Sequence, residues 1–155
     1  MRITGAGRLI GATISAGVLA GLGAVGFHYI ADYLDEVLFA WADAQKAISR
    51  LPFVLIVPTV GLFLIGLFLQ KFPSSRIGGV VEVLESLRHH EGRVPMVRIL
   101  NVIMSGFVLA VGGSVGPEGP MVQLGALVGS LCGQFFGLNK RQLQTLVRAG
   151  ASAGI

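Results

Sequence analysis

The sequence predicts an all-α integral membrane protein, built as a helical bundle with broken or re-entrant helices. Of its 155 residues, 53% are hydrophobic and only 13% are charged, whereas roughly a quarter are charged in ordinary globular domains. The chain contains 23 glycines, and glycine is more frequent in membrane helices than in soluble ones. Long uncharged runs separated by short charged segments complete the pattern, which favours a lipid bilayer over water as the surroundings.

The first predicted helix covers residues 9–30, which carry no Asp, Glu, Lys or Arg. At about 1.5 Å per residue this run is long enough to cross the ~30 Å hydrocarbon core of a bilayer. The competing interpretation is a signal peptide, because the segment before the run is basic. The apolar core of a signal peptide is usually about 7–15 residues long, so we predict a retained helix.

The second predicted helix covers residues 51–70 and is interrupted by Pro58, which neighbouring helices can accommodate. The segment 31–50 is acidic and is expected to form an outer loop. The segment 71–98 carries five Lys or Arg residues and is expected to be cytoplasmic, as is the N-terminus, by the positive-inside rule. This distribution explains the net charge of +4 as orientation in a membrane, without a nucleic-acid partner.

Four further helices are expected, at residues 79–90, 97–115, 119–137 and 140–155. Glycines at 125, 129, 133 and 137 recur every four residues, a spacing that lets a second helix backbone approach closely. The final apolar run stops without a polar flank. We therefore expect residues 1–155 to be a fragment of a longer membrane domain.

The stretch GPEGP, residues 116–120, places Glu118 between two apolar runs. A carboxylate at membrane depth costs about 2.5–3.5 kcal/mol on insertion scales, so it usually faces an aqueous path or a partner. Pro120 suits the first position of a helix, and the first amides of that helix, including those of Gly119 and Met121, would lack acceptors and attract an anion. We predict that Glu118 competes with a mobile anion for these amides; the alternative is that it only caps the helix.

The residues GGSVGPEGPMVQLGALVGS, 112–130, followed by NKRQLQTLVRAGASAGI, resemble the signature of the CLC chloride channels and chloride/proton antiporters. The resemblance implies the N-terminal part of an inverted-repeat bundle in an inner or plasma membrane. Such a bundle transports chloride or another small anion, in an antiporter together with protons, and forms homodimers when complete. The resemblance also implies that Glu118 is the gating glutamate. The anion-binding backbone would then comprise Gly116, Pro117, Glu118, Gly119, Pro120 and Met121, with a possible central-site loop at Gly78, Gly79 and Val80.

Three positions depart from the family pattern. Pro117 stands where Lys or Arg is most frequent, Gly78 stands where the family has a serine, and Val81 stands where it has a proline. A local cation and a hydroxyl are therefore missing. The later elements of the family's pathway lie beyond Ile155. The resemblance therefore implies that this segment alone does not conduct.

The sequence leaves two alternative functions open. One is a different proton-coupled transporter that uses Glu118 as a relay, and the other is a non-functional truncated membrane protein. An intramembrane hydrolase would need Ser105 or His28 in a nucleophilic arrangement that the spacing does not indicate, so we do not expect an enzyme. His89, His90 and Glu91 lack a third ligand at metal spacing, and neither a metal nor an organic cofactor is expected.

Overall fold

The computed structural model describes residues 2–43, 47–72, 79–89, 91–114 and 116–155. Within these ranges all the regular structure is helical. The helices are α1 Arg2–Asp43, α2 Ala47–Lys71, α3 Val80–His89, α4 Arg98–Ala110, α5 Glu118–Phe135 and α6 Lys140–Ala153. The all-α prediction is confirmed. Three residues that belong to the sequence predictions lie outside the described ranges: Gly78, His90 and Val115.

The helix α1 is much longer than the predicted helix at 9–30. It continues to Asp43, so the described part of the expected outer loop at 31–50 is helical instead. The prediction followed hydrophobicity, which ends near residue 30, but a helix needs no apolar side chains to continue. Residues 27–43 contain neither glycine nor proline, and their alanine, leucine and acidic residues are compatible with a helix.

Two helices contain segments long and apolar enough to cross a membrane, Ala6–Ala40 and Val54–Lys71, with mean hydropathies of 1.8 and 2.0. The segment of α2 has no buried residue, and that of α1 is only 17% buried. The helix α2 passes through Pro58 without a break. Its exposed apolar side chains require a covering of lipid or protein, because water would solvate them poorly.

The helix α5 occupies the centre of the structure and contacts α1, α3, α4 and α6. Its closest neighbour is α6, because glycines face each other at the crossing. A Cβ at Gly125 would collide with the carbonyl oxygen of Gly150, and one at Gly129 would collide with that of Leu146. The predicted close approach of a second backbone is thus observed at these two positions.

Gly137, the last member of the predicted glycine series, has a different role. The helix α5 ends at Phe135, and Gly137 follows with a φ of 61°. The amide of Leu138 donates to the carbonyl oxygen of Gly133 at 3.0 Å, and that of Gly137 to Gln134 at 3.0 Å. This is the Schellman arrangement, in which glycine adopts the left-handed conformation after a helix. Gly137 therefore terminates α5 and does not extend its packing face.

The helix α4 ends earlier than the predicted boundary at residue 115. Its last residue is Ala110, and Gly112 follows with a φ of 80°. The amide of Gly113 donates to the carbonyl oxygen of Val108 at 2.8 Å, which closes the helix in the same way. The paired glycines place a sharp turn before residue 116, and this turn leads the chain to the start of α5.

Candidate functional site

The candidate site is the start of α5. The helix begins at Glu118, one residue earlier than predicted, and Pro117 is its N-cap with a φ of −69°. Pro120 thus occupies the third helical position and not the first. Proline fits there equally well, because the amides of the first turn have no intrahelical acceptor in any case.

The earlier start of α5 changes which amides are free. The amide of Met121 donates to the carbonyl oxygen of Pro117 at 3.1 Å, so it differs from the sequence expectation and is not available to a ligand. The amides of Glu118 and Gly119 have no acceptor among the hydrogen bonds of the described residues. With the positive end of the helix dipole, these two donors suit an anion.

The carboxylate of Glu118 folds back toward the chain that precedes the helix. Its Oε2 atom occupies the position that a Cβ of residue 116 would take, so the absence of a side chain at Gly116 makes room for it. Glu118 is exposed, and Pro117, the N-cap of α5, forms no side-chain cap hydrogen bond. The carboxylate of Glu118 therefore lies beside a helix start that its N-cap residue leaves uncapped.

A second helix starts against the first. A Cβ at Gly79, the residue before α3, would lie 3.8 Å from the Cα of Gly119, which is van der Waals distance. The two stretches that the sequence separately indicated, at 78–80 and 116–121, thus meet at Gly79 and Gly119. Gly78 lies outside the described residues, whereas Val80 is exposed as the first residue of α3.

A polar cluster that was not predicted from the sequence lies immediately behind this contact. The Oε2 atom of Glu82 accepts hydrogen bonds from Asn101 Nδ2 at 3.1 Å and from Gln123 Nε2, and it forms an ion pair with Arg98 Nη1 at 2.5 Å. Asn101 and Gln123 are almost fully buried. A polar residue inside an otherwise apolar run was the available signal, and both amides meet that description.

The sequence also singled out Ser105 on α4 and His28 on α1, and His28 shares a cleft with the N-cap residue of α5. The hydroxyl of Ser105 is buried and donates to the carbonyl oxygen of Asn101 at 2.8 Å. His28 is exposed and lines a cleft of about 220 Å³ with Asp32, Asp35 and Pro117. No hydrogen bond joins Ser105 to His28 among the described residues, and the nucleophilic arrangement of a hydrolase is not formed there.

Comparison with known proteins identifies several relatives. The family described as voltage gated chloride channel matches residues 60–155. A putative chloride channel protein ClcB-like from Ralstonia nicotianae is 37% identical over 132 residues, which cover 78% of this chain and 29% of the relative. The H(+)/Cl(-) exchange transporter ClcA of Klebsiella pneumoniae is 32% identical over 148 residues, covering 90% and 30%. The chloride channel protein CLC-f of Arabidopsis thaliana is 26% identical over 167 residues, covering 95% and 20%. The chain therefore spans less than a third of the length of each of these relatives.

Proposed function

Because the chain belongs to the voltage-gated chloride channel family, we propose that it forms the first part of a transmembrane pathway for chloride or a similar small anion. The pathway is that of a channel or of a chloride/proton antiporter, and Glu118 is its gate. The transported anion and, in an antiporter, the proton are its only small ligands. The chain spans less than a third of the length of these relatives. We therefore propose this function for a longer protein that contains the segment.

The observation that carries this proposal is the uncapped start of α5. The amides of Glu118 and Gly119 have no acceptor among the described residues. Pro117 provides no side-chain cap, and the carboxylate of Glu118 stands beside the helix start. A protonated or displaced Glu118 leaves these donors to an anion, whereas an ionised carboxylate that swings over them excludes it. This competition links anion passage to pH.

The backbone must supply the local attraction for the anion. Pro117 offers no charge, and the guanidinium of Arg98 is paired with the carboxylate of Glu82. Amide donors at helix starts attract a small anion although they carry no full positive charge. A full positive charge would hold the anion too tightly for transport. The contact of Gly79 with Gly119 brings a second helix start, that of α3, to the same place.

The position in the membrane follows from charge. We propose that the N-terminus and the basic segment that follows α2 lie toward the cytoplasm of a cell with this protein in its inner or plasma membrane. The start of α3 then reaches from that side to Gly119. The longer protein is proposed to assemble as a homodimer with one pathway per subunit. Sequencing the gene beyond codon 155 tests the premise: an open reading frame with the second half of the bundle supports it, and a stop codon indicates a truncated, inactive product.

The decisive experiment measures chloride efflux from liposomes containing the complete protein, at several external pH values. In Glu118→Gln we expect anion flux to persist and its dependence on external pH to disappear, because the side chain keeps its shape but no longer titrates. The matched control is Glu36→Gln, an exposed carboxylate on α1, which should retain the pH dependence. Proton flux that requires no anion would instead identify a different proton-coupled transporter. An unchanged pH dependence of chloride flux in Glu118→Gln would show that Glu118 is not the gate.

A further inference from the structure

The polar cluster behind the two helix starts joins three helices through one carboxylate oxygen. Glu82 belongs to α3, Arg98 and Asn101 belong to α4, and Gln123 belongs to α5. All three donors converge on Oε2 of Glu82. Charge-assisted hydrogen bonds of this kind are shorter and stronger than neutral ones, so the oxygen fixes the relative positions of α3, α4 and α5.

This cluster is a poor device for stability alone. Asn101 is 1% exposed and Gln123 2% exposed, and the carbonyl oxygens of both side chains have no hydrogen-bond partner among the described residues. Burying polar groups that are only partly satisfied costs free energy. Apolar side chains of similar volume often stabilise such positions as well as or better than polar ones. The arrangement therefore calls for a role other than holding the bundle together.

The register of the cluster indicates that role. Glu82 follows Gly79 by three residues, and its amide donates to the carbonyl oxygen of Gly79 at 3.2 Å. Gln123 follows Gly119 by four residues. The bond between Glu82 and Gln123 thus lies about one helical turn behind the contact of Gly79 with Gly119, where it controls how closely the two helix starts approach.

We propose that Glu82 is a positioning residue for the anion pathway: it clamps the start of α3 against the start of α5, next to the amides of Glu118 and Gly119 that we assign to the anion. Arg98 and Asn101 set the position of this clamp relative to α4. Since Arg98 pairs with Glu82 at 2.5 Å, the clamp also keeps a cation from acting on the anion directly. The effect of Glu82 on anion transport rests on the proposed function, whereas the contact that it makes between α3 and α5 does not.

The geometry is tested on the chain itself by disulfide cross-linking. Gly79→Cys and Gly119→Cys are introduced together after Cys132→Ala removes the native thiol, and the rate of disulfide formation is measured in detergent micelles. Glu82→Gln should slow the reaction by about tenfold, which corresponds to about 1.4 kcal/mol. The matched control Glu85→Gln changes an exposed carboxylate on the same helix and should leave the rate unchanged. Equal rates in the two variants would overturn the proposal.

Two further measurements complete the test. If Glu82→Gln does not fold, as judged by circular dichroism, Gln123→Met removes the α5 donor alone and should slow cross-linking in the same direction; an unchanged rate contradicts the clamp. In the complete protein, Glu82→Gln should change the ratio of chloride to nitrate flux, whereas Glu85→Gln should not. A parent protein without anion flux refutes the proposed function, while the cross-linking rate still decides the role of Glu82.

Discussion

The two helices at the centre of the structure start in opposite ways. At the start of α6, the side chain of Asn139 accepts from the amide of Gln142 at 3.0 Å, and the side chain of Gln142 accepts from the amide of Asn139 at 3.3 Å. This capping box satisfies the amides of Asn139 and Gln142 from within the chain. At the start of α5, the N-cap residue is Pro117, which has no side chain that could supply such a cap.

This difference separates a helix start that side chains cap from one that no side chain of the described residues caps. Both helices belong to the same tightly packed pair, so poor packing does not explain the uncapped start of α5. The Gly-Pro sequence around Glu118 provides no side-chain cap, whereas Asn139 and Gln142 cap the start of α6. Under the proposed function, a mobile anion completes the hydrogen bonding at the start of α5.

The largest expected effect comes from breaking the packing that supports both starts. A Cβ at Gly150 would collide with the carbonyl oxygen of Gly125 and lie 3.1 Å from the Cα of Gly129. These are backbone atoms that cannot rotate away, so Gly150→Ala should destabilise the protein by about 1–3 kcal/mol. Thermal unfolding in detergent measures this change.

The control for this substitution is Gly17→Ala, at a helical position with nothing within 4 Å of the added Cβ. Alanine there should be neutral or should stabilise the helix by roughly 0.5–1 kcal/mol. If Gly150→Ala unfolds at the same temperature as Gly17→Ala, the close contact of α5 with α6 does not support the fold.

A smaller effect is expected from removing the cap of α6. Asn139→Ala should lower the free energy of unfolding by about 1 kcal/mol, and Asn139→Asp should largely restore it, because aspartate also accepts from the amide of residue 142. Neither variant should alter the pH dependence of anion flux in the complete protein. A change in that dependence comparable to the change in Glu118→Gln would mean that the two helix starts do not differ in function.

The start of α5 could be predicted from the sequence because its signals are local. Glycine and proline around Glu118 interrupt a helix whatever it packs against, and the helix begins within one residue of the expected position. The error about Met121 arose from that single residue, since a helix that starts at Glu118 gives the amide of Met121 an acceptor at Pro117. A shift of one residue in the helix boundary changes which amides are free, whereas it does not change whether the helix forms.

The cluster around Glu82 could not be found in the same way. Its hydrogen bonds join residues 19 and 41 positions apart in the chain, on three different helices. The sequence shows Asn101 and Gln123 as isolated polar residues in apolar runs but does not show which partner they face. The extension of α1 to Asp43 was missed for a different reason, because hydrophobicity reports contact with lipid and not the length of a helix.

The smallest expected effect concerns an ion pair beside the capped start of α6. Lys140 Nζ lies 2.7 Å from Glu91 Oε1, and both side chains are more than half exposed. The hydrogen bond from Lys140 and then its charge lower the pKa of Glu91 below the ordinary value of 4.5. Because the pKa is lowered in the folded state, the stabilisation is present above about pH 4.5 and is lost as the pH falls through the folded value.

Lys140→Gln should therefore raise the pKa of Glu91 toward 4.5, as read from the carboxyl carbon by NMR titration. Arg141→Gln, which removes the adjacent cation, should leave it lowered. Melting temperatures at neutral pH should hardly differ between these variants, because exposed ion pairs contribute little to stability. A large loss of stability in Lys140→Gln alone would show that the start of α6 depends on this tether to the loop after α3, and not chiefly on its capping box.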